Sequence, residues 1–413
     1  MVKRLKKIFR KWRNEVLTSG RAGITKALNA LVGIITARLL LSEGKGELTT
    51  VLLWPNIFQG FGAFGLPHAV VYYTGLKKQN LEAVVGSTIL IGIFQGLLIG
   101  IVGYLSVPLI ITQYKIEIVR LTQTVFLCVP IFYISGYFLR ILHGVGEFGV
   151  WNSIKIADKS VYASGVVLLW LNEVVSVQFV VYAYLLSSVV VLILGSISLA
   201  NKVEWPRIDF PLIAQMLRYG GKNYLASLTG QANSRLDQAL ISAFLPARQL
   251  GLYRVAVSSS RTIRIVNTGI KEVLFSKTSR AETATEGTLE IFRSLRTSGL
   301  VLSLSAAALA IALPFLIPIA FGSEFEESVL AAEILLAAMV FWGMKQTLYN
   351  GIRGQGRPEV LFYAEAVGSV ITGVGLYVLL QWMGIEGAAI ASLLAYAGSF
   401  MFVWIFFKRH ESF

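Results

Sequence analysis

The chain has 413 residues, of which 55% are hydrophobic and only 15% charged, with a mean hydropathy of +0.66. Soluble domains carry about 25% charged residues, so a water-soluble fold is excluded and a multispan membrane protein is expected. The net charge of +14 would suggest nucleic acid in a soluble chain; here it is first read through the positive-inside rule, and no nucleic-acid partner is expected. A single cysteine, Cys128, excludes an intramolecular disulfide and a Cys-based zinc site. His68, His143 and His410 lack metal-ligand spacing, so neither a metal nor a cofactor is expected.

Residues 1–19 form a basic amphipathic segment. Leu5, Ile8, Phe9 and Trp12 share one side with seven basic residues from Lys3 to Arg13 around them, the pattern of a helix lying in an anionic leaflet. Apolar runs of about 20 residues are long enough to cross the hydrocarbon as helices. Twelve are expected, at about 20–42, 47–74, 82–111, 118–142, 150–171, 174–200, 217–244, 250–273, 297–321, 328–351, 359–382 and 385–407. The second is expected to be broken, because Pro55, Gly62, Gly65 and Pro67 remove donors and loosen the turn between them. A tolerated kink and a moving or cavity-lining one are both open at this point.

The polar stretch Asn201–Pro211 divides the spans six and six. The expected organisation is an all-α polytopic protein with an N-terminal bundle at 20–200, a cytoplasmic linker at 201–213 and a C-terminal bundle at 214–408. The halves resemble each other at a shift of 210 residues: Leu142-His143-Gly144-Val145-Gly146 falls on Ile352-Arg353-Gly354-Gln355-Gly356, and Gly165 on Gly375. An even number of spans per half makes the repeat parallel, an arrangement typical of two-bundle transporters.

With the N-terminus inside, 22 basic residues fall in cytoplasmic segments and three (Lys45, Lys115, Arg248) in outer loops. This split places both termini in the cytoplasm. Twelve further bases lie within spans, accompanied by Asp158, Asp237, Glu333 and Glu365. A charge at bilayer depth costs about 2.5–3.5 kcal/mol on insertion scales and is a functional candidate by default; those near span ends (Arg21, Arg38, Arg120) can instead snorkel to headgroups.

At 100° per residue, Lys26 and Asn29 share a face of the first span with Gly33 and Thr36. Asn223, Ser227, Gly230, Ser234 and Asp237 form a polar stripe on the seventh, where Lys222 also lies, and Arg254, Ser258, Arg261 and Arg264 form one on the eighth. Arginine stays charged when desolvated and grips phosphate oxygens through a planar fork. The expected cargo head is an anion, phosphate or pyrophosphate, held by Lys26, Asn29, Lys222, Asn223, Arg254, Arg261, Arg264 and Lys345. A ladder of structural ion pairs is the plainer alternative, although four acids cannot neutralise twelve bases. Asp158, Asp237 and Glu365 are candidates for proton or sodium coupling.

Ile24–Gly46, Leu53-Trp54-Pro55-Asn56 and Gly65-Leu66-Pro67 resemble the start of bacterial polysaccharide flippases. Ser234–Gln238 leading to Leu250-Gly251-Leu252-Tyr253, and Gly384–Ala389, are similar too. The resemblance covers nearly the whole chain and points to the multidrug/oligosaccharidyl-lipid/polysaccharide (MOP) superfamily, nearest the O-antigen (Wzx-type) flippases. It implies a non-enzymatic, monomeric protein of the inner membrane that passes undecaprenyl-pyrophosphate-linked oligosaccharide to the outer leaflet through a central cationic cavity. It further implies partners among membrane lipids, a polysaccharide polymerase and glycosyltransferases. Val32-Gly33 stands where peptidoglycan-precursor flippases carry a neighbouring Arg-Asp pair. The alternatives are an ion-coupled drug exporter of the same superfamily, whose cavity should be acidic or aromatic, and a membrane polymerase or ligase, which would need a large outer loop or a catalytic cluster.

Overall fold

The computed structural model describes residues 2–76, 80–233, 235–265, 284–354 and 360–410; the side chains of 2–22, 222–223, 225–233, 284–287, 353–354, 361 and 410 lie outside that description. Every regular element among the described residues is helical. Helices α1 (Val2–Gly62) and α2 (Leu66–Gly75) carry the first two spans, and α3 (Leu81–Ile110) the third. The fourth is α4 (Ile116–Leu127) with α5 (Val129–Val145), followed by α6 (Phe148–Leu171) and α7 (Val177–Ala200). The seventh is α8 (Phe210–Asn233) with α9 (Leu236–Phe244). The eighth is α10 (Ala247–Ser260) running into a 3₁₀ turn, Arg261–Ile263. Then come α11 (Ala284–Phe321), α12 (Ser328–Gly354) and α13 (Val360–His410), which holds the last two spans. The twelve expected spans fall on these helices where they are described, the second broken by a turn at 63–65; residues 234, 266–273 and 359 of the seventh, eighth and eleventh lie outside the described residues.

Two helices are too long to be single crossings. Gly23–Gly62 has 40 residues and Phe362–Arg409 has 48; at 1.5 Å per residue these are about 60 and 72 Å, twice the ~30 Å hydrocarbon thickness or more. Each is interrupted by one residue at positive φ, Leu41 (φ 58°) and Gly384 (φ 55°). A tight turn thus replaces the outer loop expected near residues 43–46.

The described chain forms two compact units, Met1–Leu41 with Val51–Ser227, and Ser42–Thr50 with Leu228–Phe413. In the first unit, α3 presents Gly92, Gly96, Gly100 and Gly103 as a buried stripe. A Cβ at Gly96 would lie 2.3 Å from the Pro130 Cα, and one at Gly103 would lie 1.9 Å from the Phe126 ring. Small residues let membrane helices approach this closely, where dispersion and not water expulsion holds them together.

The second span breaks where the sequence expects it. Gly62 ends α1, Phe64 and Gly65 take positive φ, and Pro67 opens α2, whereas Pro55 stays inside α1. A break frees backbone carbonyls that lipid cannot satisfy, and side chains satisfy them here. Tyr133 Oη donates to Gln59 O at 2.7 Å, Gln95 Nε2 to Gly62 O at 2.9 Å, and Tyr224 Oη to Phe61 O. Tyr224 also stacks on Phe64 with centroids 4.6 Å apart.

In the second unit, Ser42–Thr50 is clasped by the start of the eighth span. A Cβ at Gly46 would lie 1.7 Å from Ala247 O, and one at Gly251 would lie 1.9 Å from Ser42 O. The Ser42-x₃-Gly46 and Ala247-x₃-Gly251 backbones therefore touch reciprocally. Ser42 Oγ donates to Glu324 Oε1 at 2.7 Å, and the Thr50 and Ser242 hydroxyls meet at 3.4 Å. The repeat is visible in packing as well: Gly165 approaches Ala183 in the first unit as its counterpart Gly375 approaches Ala391 in the second.

Candidate cationic site

The site lies within the second unit, on α9, α10 and the 3₁₀ turn, against α12 and α13. Its anchor is Asp237, in the first turn of α9, where the helix dipole favours a carboxylate. Asp237 is buried; Oδ1 accepts from the Gln238 N–H at 2.7 Å and Oδ2 from Tyr253 Oη at 2.7 Å. Tyr253 is fully buried on α10, with Ser392 of α13 beside it.

The arginines surround this anchor. Arg254 Nη1 donates to Gln238 Oε1 at 3.3 Å. Arg264 points its Nε at Met339 Sδ (3.4 Å), lays its guanidinium over Trp342 at 4.2 Å, and hydrogen-bonds Tyr396. Arg261 is the node: Asp237, Arg254 and Arg264 all feel its charge. Arg235 lies in electrostatic reach of Arg254, and so does Lys45. Among the described residues, Arg254, Arg261 and Arg264 thus share the field of Asp237, and Lys45 and Arg235 lie beside Arg254.

Two features depart from the sequence expectation. The arginine face is not one straight helix: α10 ends at Ser260 and Arg261 opens the 3₁₀ turn, a tighter winding that often marks a hinge within a helix. Lys45, assigned from sequence to an outer loop, is buried; the sharp turn at Leu41 and the Gly46–Ala247 contact carry it inward.

Lys345 and Glu365 meet. Lys345 is fully buried, and its Nζ is 2.7 Å from Glu365 Oε1 and 5.7 Å from the Tyr396 ring centroid. Asp158 lies in the first unit, where it accepts from Ser187 Oγ at 2.9 Å and pairs with Lys159 at 2.8 Å. Lys26 and Asn29 are exposed on α1 in that unit. Lys222 and Asn223 belong to α8, but their side chains lie outside the described residues. Sequence reasoning missed Gln238, Tyr253, Trp342, Met339 and Tyr396, which look like ordinary span residues. Gln238 and Tyr253, the latter sixteen positions after Asp237, stand in the stretches that carry the family resemblance; the other three do not.

Residues 35–330 match the family described as polysaccharide biosynthesis protein. Over 262 residues the chain is 21% identical to a probable low-salt glycan biosynthesis flippase of Haloferax volcanii, covering 63% of this chain and 55% of that protein, so the match spans only about half of that relative's length. Among solved structures, an inward-facing multidrug resistance MATE family transporter of the MOP superfamily superposes with TM-score 0.78 at 13% identity, over 96% of this chain and 98% of the other. The lipid II flippase MurJ in an inward closed conformation superposes with TM-score 0.76 at 14% identity, over 95% and 87%. At such identities these structures establish the fold alone, which the chain shares with both.

Proposed function

Because the chain belongs to the polysaccharide biosynthesis protein family, we propose that it is a flippase carrying a polyprenyl-pyrophosphate-linked oligosaccharide, undecaprenyl in bacteria, from the cytoplasmic to the outer leaflet. The observation that carries this reading is the gathering of arginines around Asp237. Arg254, Arg261 and Arg264 gathered about Asp237, with Arg235 and the buried Lys45 beside Arg254, suit a diphosphate, whose oxygens match the guanidinium fork. A drug or cation exporter would need the opposite polarity. The glycan-flippase relative supports the lipid-linked saccharide cargo.

In this reading the protein works as a monomer in the inner membrane, with both termini cytoplasmic, by alternating access and without catalysis or a cofactor. It delivers cargo made by glycosyltransferases to a polymerase. Lys26, Asn29, Lys222 and Asn223 receive the head group from the inner side, and Pro55, Gly62, Gly65 and Pro67 form the hinge of the second span. Coupling to protons or sodium falls to a carboxylate among Asp237, Asp158 and Glu365. Asp237 is favoured because its protonation would weaken its hold on the arginines.

The test is complementation of surface polysaccharide in a flippase-deficient strain, with protein level checked. A charge-assisted hydrogen bond contributes about 1.5–3 kcal/mol, so Arg261→Ala should lower flipping about 10- to 150-fold, and Arg261→Lys should restore it partly. Full activity of Arg261→Ala and Arg264→Ala would sink the proposal.

A further inference from the structure

A second concentration of charge lies in the first unit, on the α5–α6 hairpin. Lys155 of α6 holds its ammonium 4.2 Å from the centroid of the Trp151 ring. Arg140 of α5, Lys159 and Asp158 are all within electrostatic reach of Lys155, two bases against one acid. The carboxylate nearby, Asp158, is occupied on both oxygens, by Lys159 at 2.8 Å and by Ser187 at 2.9 Å. No carboxylate among the described residues pairs with Arg140 or with Lys155.

The repeat sharpens the point. At the 210-residue shift, Glu365 of the second half stands where Lys155 stands here, and Glu365 is neutralised by Lys345. The first half has replaced the acid of a closed ion pair by a base, and its hairpin retains charge that its own carboxylates do not balance.

The three cations step inward from the turn at Gly146. Counted along the helices from Gly146 at 1.5 Å per residue, Arg140 lies about 9 Å, Lys155 about 14 Å and Lys159 about 20 Å from the hairpin end, against ~15 Å for half of the hydrocarbon. The hairpin end is the one that the basic-residue split assigns to the cytoplasm. Trp151 orients Lys155 and leaves its N–H donors to turn elsewhere. Beside it, the His143 ring lies edge-on to Trp151 with centroids 5.1 Å apart, and its buried Nδ1 has no hydrogen-bond partner.

We propose that Arg140 and Lys155, with the Asp158-paired Lys159 on their deeper side, form a second anion site, binding a lipid-borne phosphate or pyrophosphate group at the inner end of the α5–α6 hairpin. The inference rests on the flippase reading for its orientation, and its ligand is either the polyprenyl pyrophosphate cargo or a bulk anionic phospholipid; the chemistry of the head is shared.

The test uses full-length protein carrying Arg261→Ala, so that a failure of the arginine cluster is not mistaken for a failure here. Equilibrium binding of labelled undecaprenyl pyrophosphate is measured in phosphatidylcholine nanodiscs, with phosphatidylglycerol as competitor, and binding of labelled phosphatidylglycerol is measured separately. Adding Arg140→Gln and Lys155→Gln should weaken binding of one of the two lipids at least tenfold, whereas Lys155→Arg should keep it. Loss for the pyrophosphate without displacement by phosphatidylglycerol assigns the site to cargo, and displacement assigns it to bulk lipid. Unchanged binding of both overturns the proposal. In the unmutated protein, the bound lipid should slow amine modification of Lys155 several-fold, read by peptide mass; equal modification with and without both lipids overturns it equally, without reliance on a variant that folds.

Discussion

The hairpin of the fourth and fifth spans and that of the tenth and eleventh are the same structural piece used twice, and they treat charge in opposite ways. In the second half, Lys345 and Glu365 close on each other at 2.7 Å in a nearly dry environment. In the first half, Lys155 replaces the glutamate, Arg140 stands where Asn350 is, and Asp158 stands where Gly368 is. A buried ion pair is costly to desolvate but self-contained, whereas unbalanced cations at the same level must find charge outside the protein. The two copies teach that a basic residue within a span is functional or structural according to its neighbour and not its depth.

The strongest way to break this comparison is to orphan one member of the closed pair. Glu365→Gln leaves Lys345 buried without a counter-charge and should cost about 3–5 kcal/mol, read as a large fall in melting temperature. Lys345→Met with Glu365→Leu should recover most of that loss. Lys155→Gln orphans no carboxylate and should change stability by less than about 1 kcal/mol. Equal losses from Glu365→Gln and Lys155→Gln would erase the distinction.

The two buried carboxylates offer the next contrast. Tyr253→Phe removes one of two hydrogen bonds to Asp237 and should cost about 1.5–3 kcal/mol, the range for bonds to charged groups. Ser187→Ala should cost less, because Asp158 keeps Lys159. Thermal melts of the two variants, compared directly, decide this. A packing contrast follows. Gly251→Ala pushes a Cβ to 1.9 Å from Ser42 O and should cost about 1–3 kcal/mol. Gly136→Ala on α5 meets nothing within 4 Å and should be neutral or stabilising by up to about 1 kcal/mol.

The smallest effect belongs to the outer surface. Arg248 grips both oxygens of Glu327, at 2.9 and 2.7 Å, and this hydrogen bonding holds the Glu327 carboxyl below its ordinary value of 4.5. Because that value is lowered in the folded state, the contribution is full at neutral pH and is lost as acidification passes through the lowered value. Both groups are exposed, so the pair contributes about 0.2–1 kcal/mol at most. Arg248→Gln should therefore lower the melting temperature slightly at pH 7 and not at all at pH 2.

Much of the architecture is legible in the sequence. Runs of twenty apolar residues admit one conformation in lipid, since each backbone group must be satisfied within its own segment; hence the twelve expected spans fall on helices where they are described. The break after Gly62 was legible because Gly65 and Pro67 dictate it locally. The Leu41 turn was not, since leucine carries no signal for positive φ. Within the site, helical spacing grouped Arg254, Arg261 and Arg264, but the 3₁₀ turn at Arg261 and the burial of Lys45 depend on contacts with distant segments.

What the sequence determined alone was the solvent, the element type, the number of crossings and the excess of basic over acidic residues within them, because these follow from composition and short-range periodicity. Which of those charges are neutralised was decided only by the tertiary structure. Lys345 and Glu365 are 20 residues apart, and Tyr253 and Asp237 are 16 apart; at that separation no periodicity relates two side chains on different helices. Their pairing is set by how small residues let the helices approach, and that approach separates a closed ion pair from cations that still require an anion.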